Sequence, residues 1–349
     1  MAKKEEGNQS LQLLRAAIRD KNTDRFYVFH GEETFLLQHY LQQLRKLLID
    51  ELTESFNFHK LTSETFDLQT LSDCVENLPM MAENTMVWVD EIDMFKLPET
   101  DRERLIQIIS DIPEYCTLVF TYETTQWKPD GRLRKLADAV KKYATVVEFA
   151  KQSQRDLVTW ITRHFAANKK AIAPELCAYL IEITGGTMTA LSGEISKICA
   201  YSGADEIKKS DIDAVVEPVL DAVAYNMTNQ MSEGSYGAAL ATMQKLLKMQ
   251  EEPLSVLGAI GANFRKMAAA RILHENGRGY QDLMRLYGMN SDYGAKKLMS
   301  SCTRFSGRFY AKAAQLVLET DRKIKTSQDD PGRLLEILII QLAQEARND

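Results

Sequence analysis

An α/β domain followed by all-α domains is what this sequence predicts, on three observations. Short β-rich runs alternate with helical stretches through the first 150 residues, the β-rich runs then stop, and helical periodicity carries the rest of the 349-residue chain. A chain of this length exceeds one ordinary core and suits two or three domains.

The β-rich runs are Phe26-Tyr27-Val28-Phe29, residues 56–61, Met86-Val87-Trp88-Val89, residues 117–121 and residues 145–149. Strands spaced by helices imply a parallel sheet, and the wholly apolar third and fourth runs suit strands covered on both faces. After the first run, Leu36, Leu37, Tyr40, Leu41, Leu44 and Leu47 recur at three-and-four spacing, which predicts a helix.

From about Gln152 the periodicity is helical, first in Leu157, Trp160, Ile161 and Phe165, then in Leu176, Leu180 and Ile183. Gly185-Gly186 stops that helix, another carries Leu191, Ile195 and Ile198, and a short element lies over residues 211–216 before Pro218. Beyond Pro218 long helices are expected around residues 238–247, 253–274, 309–325 and 334–345. The predicted domains are therefore 1–150, 151–218 and 219–349.

Composition narrows the function. The five cysteines form no C-x-x-C pair and the five histidines no H-x-x-x-H, so neither a disulfide framework nor a metal site is predicted, and no cofactor. Residues 1–10 lack the apolar region of a signal peptide and no apolar stretch is long enough to span a bilayer, so the cytoplasm is the expected compartment and no membrane partner is expected. The net charge of −6 is unevenly shared: from Val219 onward 17 Lys+Arg stand against 14 Asp+Glu. Contact with a polyanion is thus more plausible for the last third, through Arg265, Lys266, Lys296, Lys297, Arg304 and Arg308, although each suits a solvated helix face better and none is assigned to DNA.

A strand, then His30-Gly31-Glu32-Glu33-Thr34-Phe35-Leu36, then a helix is where an ATPase would cradle phosphate. A P-loop requires G-x-x-x-x-G-K-[ST], and none of the 17 glycines is followed by Lys. Glu32 and Glu33 would instead repel a triphosphate. Met86-Val87-Trp88-Val89-Asp90-Glu91 has the form of a Walker B strand, but without phosphate ligands the structural reading of Asp90 and Glu91 is preferred and no catalytic residue is assigned. No G-x-S-x-G elbow supports a hydrolase. Trp127 and the Lys128-Pro129-Asp130-Gly131-Arg132 segment suggest an exposed loop.

Several short motifs, in order along nearly the whole chain, resemble the delta subunit family of the bacterial DNA polymerase III clamp loader. They are the first strand with Gly31, Glu33, Phe35 and Leu36; Leu191, Glu194, Ile195 and Lys197; and Glu252-Pro253-Leu254 ahead of Phe264-Arg265, then Asp321, Lys323, Lys325 and Glu336. The resemblance implies a RecA-like AAA+ parallel-sheet domain without a P-loop, a small helical lid domain and a helical collar domain that joins a pentamer. It implies a part in chromosomal replication within the polymerase holoenzyme, with the sliding clamp (the beta subunit), gamma/tau and delta prime subunits as partners, primed DNA met through the assembled complex, and ATP hydrolysis left to neighbouring subunits.

The resemblance also implies a clamp-binding plug at Leu78, Pro79, Met80 and Met81, after the helix that precedes the third strand. Pro79 fixes its own φ and restricts Leu78 to extended conformations, and unbranched Met80 and Met81 suit an irregular apolar pocket. Burying two such side chains supplies roughly 3–6 kcal/mol of gross driving force before association costs. Met80-Met81 stands where a Leu-Phe pair is more usual, and Glu76 where Gln often opens the motif. The competing expectation is that Leu78, Met80 and Met81 pack beneath the sheet. At the level of the whole chain the rivals are an active ATPase with an atypical phosphate loop and a scaffold unconnected with replication.

Overall fold

The computed structural model describes residues 2–289 and 292–349. The chain divides into two compact units, Met1–Gln152 and Ser153–Asp349.

The first unit is a five-stranded, wholly parallel sheet in the order β2-β3-β4-β1-β5. Its strands are β1 (Phe26–His30), β2 (Phe58–Leu61), β3 (Thr85–Asp90), β4 (Cys116–Tyr122) and β5 (Thr145–Glu148). The helices are α1 (Ala2–Asp20), α2 (Thr34–Leu48), α3 (Glu54–Asn57), α4 (Leu68–Glu76), α5 (Glu99–Ser110) and α6 (Arg134–Tyr143). The two runs read as covered on both faces, β3 and β4, are buried almost throughout and lie inside the sheet.

Alternation sorts each strand's side chains between two layers. Phe26 and Val28 of β1, Val87 and Val89 of β3 and Leu118 and Phe120 of β4 share one apolar cluster with Leu71 of α4, Leu105 of α5 and Leu136 of α6. Phe29 points the other way: its ring packs edge-on 5.2 Å from Phe149, which stacks at 6.0 Å on Tyr40 of α2.

Two elements of the first unit depart from the sequence reading, and in the second unit helices over residues 220–232, 280–287 and 292–301 were not singled out. Phe56 and Asn57, taken as strand, close the short helix α3, their N–H groups donating to the Thr53 carbonyl. Helix α1 is not among the predicted elements. It buries Leu11 and Leu14 but leaves Leu13 exposed, too thin an apolar stripe to announce a helix.

The second unit is helical among the described residues: α7 (Gln154–Ala167), α8 (Pro174–Thr184), α9 (Met188–Tyr201), α10 (Lys209–Val215), α11 (Leu220–Ser232), α12 (Tyr236–Lys248), α13 (Pro253–Glu275), α14 (Tyr280–Tyr287), α15 (Asp292–Ser301), α16 (Gly307–Thr326) and α17 (Pro331–Arg347), with one 3₁₀ turn, Cys302–Arg304. Gly185 ends α8 in the left-handed conformation (φ 76°), as its place in the sequence predicts. From α11 onward a single cluster runs from Met227 to Leu342, centred on Ile260, Phe264, Phe309 and Leu338. No helix among the described residues is long and apolar enough to cross a membrane.

Candidate functional site

The segment between α4 and β3 is built from both ends. Asp67 starts α4 by accepting the N–H groups of Gln69 at 2.8 Å and Thr70 at 2.9 Å. The helix stops at Asn77, which turns to extended backbone (φ −63°, ψ 125°), two residues before Pro79. The Tyr115 hydroxyl donates to the freed Glu76 carbonyl at 3.0 Å, and the Thr85 N–H donates to Tyr115 O at 2.8 Å where β3 begins.

Between these anchors Leu78 is 68% exposed, Met80 52% and Met81 94%. They do not pack beneath the sheet. Met81 has φ +53°, a left-handed conformation unusual for a side chain of its kind. Met80 is gripped at its backbone by Asn57: its N–H donates to Asn57 Oδ1 at 2.7 Å, and Asn57 Nδ2 donates to its carbonyl at 2.9 Å. Asn57 is fully buried. Sequence reasoning missed it, because a polar residue inside an apparent strand carries no local mark of a partner 23 residues away. Leu52 and Phe56, on the connection that leads to Asn57, are 90% and 51% exposed.

The turn after β1 is packed shut by the chain itself. Gly31 has φ +138°, and a Cβ there would lie 2.3 Å from the Phe149 carbonyl oxygen. That oxygen accepts the Glu33 N–H at 2.9 Å, and the Phe149 N–H donates to His30 O at 2.7 Å. Glu33 is buried at the N-cap of α2. Burial raises its pKa against the opposing pull of Lys151, and burial also pushes the His30 imidazole down to about 4. An anion cradle seats phosphate on the N–H groups of a helix start, and here the buried Glu33, whose carboxyl bonds none of those groups, stands at that start.

Asp90 and Glu91 both serve structure. Asp90 Oδ2 pairs with Lys60 Nζ at 2.9 Å while Oδ1 accepts the Thr121 hydroxyl at 3.0 Å. Glu91, at φ +61°, accepts the N–H groups of Glu123, Thr124 and Thr125 and the Thr124 hydroxyl. Burial opposes its ionisation, but those hydrogen bonds overcome burial and hold its pKa down at about 2.

Among the described residues no group of His, Cys, Asp and Glu is arranged to hold a metal. Trp127 is not the exposed loop side chain expected: half-buried, its ring lies 4.9 Å from Tyr122, 5.6 Å from Phe95 and 6.1 Å from His30. Of the six cations considered for DNA, Lys297 pairs with Glu182 at 3.4 Å, Lys296 with Asp292 at 3.9 Å and Arg304 with Glu233 at 3.4 Å, which suits their reading as helix-face charges.

Comparison with known proteins agrees with this architecture. Residues 27–150 match the family model for the DNA polymerase III delta subunit, and residues 221–342 match that for its C-terminal domain. DNA polymerase III subunit delta of Bacillus subtilis is 24% identical over 330 residues, covering 93% of this chain and 94% of that protein. A probable DNA polymerase III subunit delta of Aquifex aeolicus is 20% identical over 287 residues, covering 79% of each. The solved Bacillus subtilis DNA clamp loader delta protein shares the fold, with a TM-score of 0.64 at 22% identity over 95% of this chain and 98% of that one. With both of its family models matched in order and a relative aligned nearly end to end, this chain belongs to the DNA polymerase III delta subunit family.

Proposed function

We propose that this chain binds the sliding clamp and helps to open it for loading onto primed DNA, with Leu78, Pro79, Met80 and Met81 as the plug. The observation that carries the reading is three large apolar side chains held in solvent on a turn whose backbone is fixed from both ends. Unpartnered, such a group costs solvation; seated in an apolar pocket of a partner it drives association.

Attachment alone opens nothing. A ring shifts toward its open form only by the difference between the loader's affinities for the two forms, so the plug must favour a distorted clamp over the closed one. In this reading residues 151–218 are the lid and 219–349 the collar through which the chain joins gamma/tau and delta prime subunits. Those neighbours hydrolyse ATP, DNA is met by the assembled complex, and the work is done in the cytoplasm.

The test is titration of the clamp with the whole chain by calorimetry, without nucleotide. Met80→Ala combined with Met81→Ala is expected to weaken binding at least a hundredfold, as the loss of roughly 3 kcal/mol or more of apolar burial requires, with an unchanged circular dichroism spectrum. Clamp affinity equal to that of the unmodified chain would overturn the assignment.

A further inference from the structure

We infer that Asn57 is a positioning residue for the plug, and that the plug's affinity depends on the turn being formed before the partner arrives. The inference rests on the clamp-binding reading above. Two consecutive residues of the turn are constrained by different means, and the third adopts a conformation that needs such support. Pro79 is fixed by its ring, Met81 is in the left-handed region at φ +53°, and Met80 between them is held at both backbone polar atoms by one side-chain amide. Asn57 thereby acts as a peptide group, accepting and donating as a neighbouring strand would.

The residue that carries the amide is anchored through its backbone N–H and by burial. It is fully buried, and the Asn57 N–H donates to Thr53 O at 3.2 Å. A left-handed methionine persists only where its surroundings over-determine it, and the hydrogen-bonded neighbour at Met80 is such a constraint. Without the amide, Met80 and Met81 would leave this geometry for part of the time, and apparent affinity falls in proportion to the fraction of chains that keep it. A segment that must be ordered on contact also binds more slowly.

The experiment measures the association and dissociation rates of the clamp with the whole chain carrying Asn57→Ala, Asn57→Asp, Met81→Ala, or Asn57→Ala with Met81→Ala. Asn57→Ala is expected to weaken binding about tenfold, mostly through slower association, from the loss of two buried hydrogen bonds. Asn57→Asp keeps the shape and the acceptor for the Met80 N–H but turns a carboxylate oxygen on the Met80 carbonyl, so it should bind no tighter than Asn57→Ala, and the neutral Asn57→Ser serves if the alanine variant does not fold. If Asn57 acts through the plug, its loss costs less in the Met81→Ala background than alone. A folded Asn57 variant with unchanged rates overturns the inference, as does a fully additive double variant. Should Met80→Ala with Met81→Ala abolish binding while the Asn57 variants bind normally, only the role of Asn57 fails. Should that plug variant bind normally, the plug reading fails and this inference with it.

Discussion

Lys60 Nζ lies 2.9 Å from Asp90 Oδ2 and, in the same pose, 3.8 Å above the ring of Trp88. The ammonium takes the place beside the Walker B-like aspartate that a metal would need. Millimolar MgATP is therefore expected to leave the thermal midpoint of the isolated chain unchanged. A ligand at about 100 times its Kd would contribute about 2.7 kcal/mol, a rise of several degrees, so a shift of that size in differential scanning calorimetry would restore the ATPase reading.

Gly31→Ala should destabilise the first unit by about 2–5 kcal/mol. The added Cβ meets the backbone of Phe149 rather than a yielding side chain, and alanine is strained at φ +138°. Urea denaturation followed by tryptophan fluorescence checks this.

Glu91→Gln tests the acid side of the stability profile. The folded pKa of Glu91, about 2, lies below its ordinary 4.5, so the stability it contributes is present above 4.5 and is lost as pH falls toward about 2. The variant should be about 1–2 kcal/mol less stable at pH 7, with the gap closing across that window in melts at stepped pH. A gap independent of pH would mean that shape, not charge, matters at this position.

In the second unit, Asn263 of α13 donates to the Thr228 hydroxyl of α11, which in turn donates to Ala224 O at 2.7 Å. All of this is buried. Asn263→Ala should cost about 1–3 kcal/mol, and a cycle with Thr228→Ala should show coupling between the two side chains in chemical denaturation.

Strands β3 and β4 were legible because burial on both faces leaves a continuous apolar run, α16 because its length repeats the helical period, and α13 because Pro253 opens a long run with no later proline and few β-branched residues. Helix α1 was not, since Leu11 and Leu14 are too few to set a period. Residues 56 and 57 misled because Phe and Asn beside a strand look like its first turn, whereas bonds to Thr53 decide otherwise. The plug's residue types were readable only through resemblance: Met86 is announced as buried by the apolar run it opens, whereas nothing local says that Leu78, Met80 and Met81 stand in solvent. The grip of Asn57 on Met80 is a tertiary contact with no periodic signature.

The sheet order bears on how the chain comes into being. Strand β1 is made first, yet its two neighbours, β4 and β5, begin only at Cys116 and Thr145, and the turn after it closes on Phe149. A ribosome that has released the first hundred or so residues has therefore freed β2 and β3 to pair, but left the most aromatic strand of the sheet waiting. Within this sheet the strand that is made earliest is completed last, and until then Phe26, Tyr27 and Phe29 stand without the neighbours that cover them.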